Sequence, residues 1–263
     1  PEDEEFEFEI KEVGVTKPIA TIKNTGTTIN YPKFVSQVDP DGTAGTVYDG
    51  TANTITVTVK KIEDLPEDRK YHYTISEVDG QQHYIEYDKS TIHVAVEVQP
   101  NASGKLDVTI TKDKPDFNFT NKYEAKGALK LEGKKTLLGR LLNSGEFTFR
   151  LVQVDENGNE LKDENGDLVY EDIKLNDSDG KISFKQINYT LDDMKKDKNG
   201  HVVEPTYLYY NVKEIPPTNR RPAITYDDDG INLTVKLEDD KKGTINVSVK
   251  EEPQTLFELI TKP

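Results

Sequence analysis

The feature that most constrains this chain is strict apolar–polar alternation, and it occurs in two matched sets. Phe6, Phe8 and Ile10 alternate with polar residues, as do Ile55, Val57 and Val59, and Ile92, Val94, Val96 and Val98. Further along, Phe147, Phe149 and Leu151, then Leu233, Val235 and Leu237, then Ile245, Val247 and Val249 repeat the pattern. A period of two puts one face of each segment in a core and the other in water, which predicts half-buried strands. Turn signals punctuate the runs at Asp41-Gly42, Asn157-Gly158, Asn165-Gly166, Asp179-Gly180, Asn199-Gly200 and Asp229-Gly230. Helical periodicity is confined to single turns at Ile62 to Asp68 and Leu191 to Met194. The chain reads as all-β.

The two sets align. Phe6-Glu-Phe-Glu-Ile10 matches Phe147-Thr-Phe-Arg-Leu151, and Tyr73-Thr-Ile-Ser-Glu77 matches Tyr210-Asn-Val-Lys-Glu214. Ile85-Glu-Tyr87-Asp88 matches Ile224-Thr-Tyr226-Asp227, and the strands beginning at Ile92 and Ile231 also correspond. A spacing of roughly 140 residues exceeds the 20–50 residues of solenoid repeats and indicates duplicated whole domains. Residues 124–127 supply a short linker, giving expected domains 1–125 and 126–263, the first short of its opening strand and the second ending on an atypical one. Hydrophobic residues are 33% of the chain, which suits two slim sandwiches better than one thick globule.

Composition removes several function classes. A net charge of −15 argues against nucleic acid and against an anionic membrane surface. With no cysteine there is no disulfide, thiolate metal site or cysteine nucleophile. His72, His83, His93 and His201 show no metal-ligand spacing, so neither metal nor cofactor is expected. The stretches Asp155 to Glu160 and Asp163 to Asp167 resemble calcium loops, but their glycines come too early, and Asn-Gly hairpins with solvated acids explain them better. No nucleophile–base–orienter set can be assembled, so an enzyme is not expected.

Four ionisable or amide side chains interrupt apolar stripes. Tyr71, Tyr73, Ile75 and Glu77 share one face, and so do Leu208, Tyr210, Val212 and Glu214. Burying an ionised carboxylate is costly, so each glutamate should be protonated or paired, unless the strand simply ends in solvent there. Leu129, Leu131, Gly133, Lys135 and Leu137 put a lysine among core positions, unless the register breaks at Gly133. A buried lysine that loses its proton is a nucleophile. Phe117, Phe119, Asn121 and Tyr123 form a further stripe, with an asparagine among aromatics.

These residues resemble the Gram-positive pilin module of the T-antigen (FctA) type. The resemblance rests on Leu129-x-Leu131-x-x-x-Lys135-x-Leu-x-Gly139-Arg, on Gly145-Glu-Phe-Thr-Phe149, on Tyr210-x-Val-x-Glu214 and on Phe119-Thr-Asn121. It covers nearly the whole chain, twice. It implies tandem Ig-like (CnaB-like) β-sandwiches in a pilus backbone subunit, an extracellular, cell-wall-anchored surface fibre. It further implies an intramolecular isopeptide bond from a first-strand lysine to a last-strand asparagine, promoted by a glutamate. Glu77 and Glu214 take the promoting role, and Lys135 and Asn121 are the crosslinking residues. A bond of that kind closes a loop of over 100 residues, worth roughly 4–5 kcal/mol by analogy with disulfides. The family also implies sortase-made links to other pilin subunits, through a lysine just before the asparagine strand. Lys114 is favoured for this role, with Lys112 and Lys33 as alternatives; each is equally readable as an ordinary solvated lysine.

The chain departs from this pattern in both copies. The position aligned with Lys135 falls before Pro1, and Lys11 lies on the wrong face to replace it. In the second copy Phe257 aligns with Phe119, which puts Leu259 where Asn121 stands. The sequence therefore leaves open trimmed ends, missing segments or strand exchange with a neighbouring molecule. No LPxTG-like motif is visible, and Leu259 to Lys262 is not one. Two rival readings stand beside the pilin one. They are a stalk repeat of a cell-wall-anchored adhesin and a ligand-binding β-sandwich, with host-surface ligands as partners.

Overall fold

The computed structural model describes residues 1–114, 118–227 and 230–249 and the backbone strand 256–261. Phe117 and Asp229, which the sequence places in a stripe and in a turn, lie outside the described residues. The chain divides into two compact units, Pro1–Tyr123 and Glu124–Pro263. Each is a β-sandwich, and the only helical turns among the described residues are 3-10 turns at Ile62–Asp64 and Leu191–Asp193.

Unit 1 comprises β1 (Glu7–Glu12), β2 (Ala20–Thr25), β3 (Thr28–Ile29), β4 (Lys33–Val38), β5 (Gly45–Asp49) and β6 (Thr54–Val59). It continues with β7 (Lys70–Glu77), β8 (Ile85–Glu86), β9 (Thr91–Pro100), β10 (Leu106–Lys112) and β11 (Lys122–Tyr123). One sheet runs β10-β9-β7-β1-β2-β3, and a second runs β4-β6-β5. The alternation does what it predicted: Phe8, Ile10, Ile75, Ile92, Val94, Val96 and Val98 all turn into one buried cluster with Ile55. Burying such side chains contributes about 1.5–3 kcal/mol each. The Tyr73 hydroxyl reaches Thr46 Oγ1 at 3.1 Å and so bonds one sheet to the other.

Unit 2 comprises β12 (Lys126–Leu129), β13 (Glu132–Leu137), β14 (Thr148–Val154), β15 (Glu171–Leu175) and β16 (Lys181–Ser183). It ends with β17 (Ile187–Thr190), β18 (Thr206–Ile215), β19 (Ile231–Asp239), β20 (Ile245–Val249) and β21 (Leu256–Thr261). Its main sheet is β15-β14-β18-β19-β20, faced by β16-β13-β21 and β12-β17. Here the hydroxyls of Tyr189 and Tyr210, 3.0 Å apart, join the layers. β13 and β21 are parallel, with Lys135 registered against Leu259.

The acidic loops are hairpins. Asp155 accepts the N–H groups of Asn157 and Asn159, and Asp163 those of Asn165 and Asp167. Asp197 and Asp240 repeat the arrangement at Asn199 and His201, and at Lys242 and Thr244. Each carboxylate is spent on its own turn, as aspartate side chains commonly are.

Candidate site: two glutamates and their amide and amine partners

In unit 2 the stripe through Gly133 holds its register, and Lys135 is buried at 1% exposure. Its Nζ donates to Glu214 Oε2 at 2.7 Å, and both side chains are wholly enclosed. The same Nζ lies 4.5 Å from the centre of the Phe147 ring, whose negative face favours a cation. Backbone geometry fixes the lysine. Its N–H donates to the Gly180 carbonyl at 2.7 Å, and Gly180, at φ +89°, leaves no room for a Cβ, which would sit 2.2 Å from the Lys135 carbonyl oxygen. Only glycine suits that turn. Two charges out of water cost several kcal/mol each, and close contact with a partner offsets that cost only when the geometry is good.

In unit 1 the equivalent glutamate meets an amide. Asn121 Nδ2 donates to Glu77 Oε1 at 2.6 Å. The Asn121 carbonyl oxygen accepts the backbone N–H of Asp88 at 2.8 Å, and the same N–H approaches Glu77 Oε2 at 3.1 Å. The glutamate is thus on the amide nitrogen, and a backbone N–H is on the side-chain carbonyl. Burial pushes the Glu77 carboxyl above its ordinary value, against the opposing hydrogen bonds from Asn121 and Asp88. Asp88 is itself a hub. Its carboxylate accepts from Ser90 N and from Thr120 N, the residue before Asn121. Burial acts upward on the Asp88 carboxyl, but these bonds and nearby Lys114 outweigh it and bring the group below its usual value.

The structure thus brings Glu77 together with Asn121, and Glu214 with Lys135. Lys114 is half-buried near Asp88, whereas Lys112 and Lys33 are exposed. Lys33 opens β4, an edge strand of its sheet. His72 and His201 each face an aspartate of their own turn, Asp68 and Asp197. Among the described residues no group of three or more His, Asp or Glu side chains could hold a metal, and no helix is long and apolar enough to cross a membrane.

One construction shared by the two units has no mark in the alternation pattern. Asn24 Oδ1 accepts Phe6 N–H at 2.7 Å, while its Nδ2 donates to the Glu2 and Gly26 carbonyls. Asn176 does the same for Phe147 N–H and for the Asn143 and Asp177 carbonyls. Both amides are buried. They went unpaired in the sequence because a hairpin, marked by the Val154–Glu160 and Lys162–Leu168 bridges, lengthens the second copy between β14 and β15.

Fold and site define a class: repeated β-sandwich modules that gather an amine or an amide against a glutamate between their terminal strands. The chain belongs to the FctA family, the Spy0128-like isopeptide containing domain, which matches residues 1–124 and again residues 131–258. Among solved structures, it is similar to the major pilin from Streptococcus pyogenes, at 14% identity and a TM-score of 0.31, covering 99% of this chain and 91% of that one. The T3.2 major pilin protein of the same organism matches at 15% identity and a TM-score of 0.23, over 98% of this chain and 88% of its own. The plantain pollen allergen Pla l 1 matches 51% of this chain and 93% of its own, at 14% identity and a TM-score of 0.21. No curated protein matches.

Proposed function

We propose that this chain is a structural segment of a Gram-positive surface pilus, a backbone pilin with no catalytic turnover, whose modules carry the parts of a Lys–Asn self-crosslink. The observation that supports this most is the pairing of Asn121 with Glu77, set beside the pairing of Lys135 with Glu214 at the same place in the duplicate. In the crosslinking reaction a neutral lysine amine attacks an asparagine side-chain carbonyl carbon, and ammonia leaves. At unit 1, Asp88 N–H is placed to stabilise charge on the carbonyl oxygen, and Glu77 to carry a proton to the departing nitrogen. Among the described residues the parts are divided. Unit 1 has the glutamate and the acceptor; unit 2 has the glutamate and the amine, with Leu259 in register beside it.

Such modules resist pulling when covalently tied, which suits a fibre anchored to a cell wall and built from other pilin subunits. Lys114 is the proposed point of sortase-made linkage, ahead of Lys112 and Lys33. Incubating the chain with a pilin sortase and a labelled sorting-motif peptide should place the label on Lys114, by peptide mapping. Label on Lys112 or Lys33 alone rules Lys114 out, and no label on any lysine removes the polymerisation reading.

A further inference from the structure

Three hairpins of unit 2 carry the same chemically loaded tip. Asn157-Gly158, Asn165-Gly166 and Asn199-Gly200 are the three places in the chain where glycine follows asparagine. Each asparagine is exposed, and each glycine sits at positive φ, +85°, +86° and +84°. No described atom lies within 4 Å of the point where a Cβ would stand on any of the three. An aspartate closes each tip in the same way. Its backbone carbonyl accepts the glycine N–H at 3.0 Å. Its carboxylate accepts the N–H of the asparagine and of the residue after the glycine. Two of the tips form an internal comparison, since Asp155-Glu-Asn-Gly-Asn159 and Asp163-Glu-Asn-Gly-Asp167 differ at one residue. Asn159 Nδ2 adds a third bond to its carboxylate, at 3.0 Å, and Asp167 has no amide to do so. A fourth hairpin, Asp177-Ser-Asp179-Gly180, shows an aspartate in the asparagine's place. The backbone bonds persist there, from Gly180 N–H to the Asp177 carbonyl at 3.1 Å and from Asp177 N–H to the Lys181 carbonyl at 2.9 Å. The carboxylate bonding changes. Lys181 N–H goes to Asp179, and hydrogen bonding to Asp179 pushes the Asp177 carboxyl above its ordinary value.

We propose that Asn157, Asn165 and Asn199 are self-modifying sites, each converted to aspartate and isoaspartate by the glycine that follows it, at a rate set by the aspartate that closes the turn. The glycine nitrogen gives its proton to a base in solution and bonds to the asparagine side-chain carbonyl carbon. The bond from that carbon to Nδ2 breaks, and Nδ2 takes a proton from water and leaves as ammonia. Water then opens the five-membered ring at either carbonyl, giving aspartate from one and isoaspartate from the other. Glycine suits the step because it puts no side chain in the way of the attack. The closed turn opposes it, since the glycine N–H is engaged and the asparagine backbone is pinned to a carboxylate. Reaction therefore proceeds from a locally opened tip, and the carboxylate bonds govern how often the tip opens. The Asp179 hairpin shows that the aspartate product keeps the turn. Isoaspartate lengthens the backbone by one carbon and breaks its register. Each conversion adds one negative charge to a chain already at −15, so the modification records the age of the molecule.

The test is timed peptide mapping of the full chain held at mildly alkaline pH, beside a sample unfolded in urea. The three tips should exchange ammonia for water in the folded chain, while the buried Asn24 and Asn176 keep their amides. Asn165 should run ahead of Asn157 in the folded chain, and the two rates should converge in urea. Asp163→Ala should speed conversion at Asn165 by about tenfold, the weight of its lost hydrogen bonds, and leave Asn157 unchanged. The ring intermediate is itself short of one ammonia, but it opens in mild alkali and an isopeptide bond does not, so the two are told apart. Folded tips that stay unconverted while the unfolded ones react overturn the proposal. A rate at Asn165 that Asp163→Ala does not move overturns the control by the closing aspartate.

Discussion

Unit 1 and unit 2 set a glutamate at the same end of the same strand, yet Glu214 is sealed from water while Glu77 is not. The glutamate's own strand is not the cause. β7 and β18 have matching stripes, with Tyr73 and Tyr210 both fully buried and each bonded to a hydroxyl across the sandwich. The difference comes from the strand laid over the site. Where β13 is present it closes the core over Phe147 and brings in an amine. In unit 1, where no described strand takes that position, Phe6 and Tyr31 are half-buried and Glu77 meets an amide. One strand therefore decides both packing and chemistry.

The largest expected effect that can break this comparison is at the buried pair. Glu214→Ala leaves Lys135 enclosed without its carboxylate and should destabilise unit 2 by about 3–5 kcal/mol, whereas Glu77→Ala, at a wetter site, should cost far less. Urea unfolding of both full-length variants measures the contrast. Adding Lys135→Met to Glu214→Leu should recover most of the loss, because an apolar pair removes the stranded charge. Equal costs at the two glutamates would mean that the covering strand does not set their environments.

The asparagine clamps should come next, and they sharpen the comparison by being alike. Asn24→Ala and Asn176→Ala each strand one buried N–H and remove two donors, for about 1–3 kcal/mol in either unit. The turn glycines should differ again. Gly180→Ala collides with the Lys135 carbonyl and loosens β16 from β13, while Gly26→Ala meets nothing within 4 Å and should cost only about 1 kcal/mol for its left-handed backbone. Comparable losses at both glycines would show that the close approach to Lys135 carries no weight.

The smallest effect is a difference in pH slope. The Glu77 carboxyl is raised in the folded state, so the folded chain holds its proton more tightly than the unfolded chain does. Its contribution is fully present below the ordinary carboxylate value and is lost as pH rises through the raised one. Glu146 runs the other way. Hydrogen bonding to Arg140, with Arg221 alongside, lowers it to about 2, so its contribution is present above the ordinary value and fades as pH falls towards 2. Glu77→Gln should flatten the first slope only, and Glu146→Gln the second only, in unfolding titrations across the acid range.

Much of this was legible in the sequence because alternation has only one geometric meaning. The stripes through Phe8 and Ile10, and through Val94 and Val98, mapped straight onto buried faces. Lys135 and Glu214 were visible for the same reason, being ionisable residues on apolar stripes, and the duplicate repeats the second as Glu77. The exposure of Glu77 was not, since it depends on a neighbouring strand and not on its own. Nor was the Asp88 N–H at the Asn121 carbonyl, because backbone donors carry no residue identity. The asparagine clamps escaped for a simpler reason: the hairpin between β14 and β15 shifts the second out of alignment with the first.

The division of one reactive set between two units is tested most directly by weighing two proteins. The parent chain alone should have its full sequence mass, because among the described residues neither unit gathers an amine, a glutamate and an amide at one site. Leu259→Asn puts an amide in register with Lys135 beside Glu214, and that variant should weigh one ammonia less, a deficit abolished by adding Glu214→Ala. A parent chain already short of one ammonia, or a Leu259→Asn chain at full mass, would contradict the account.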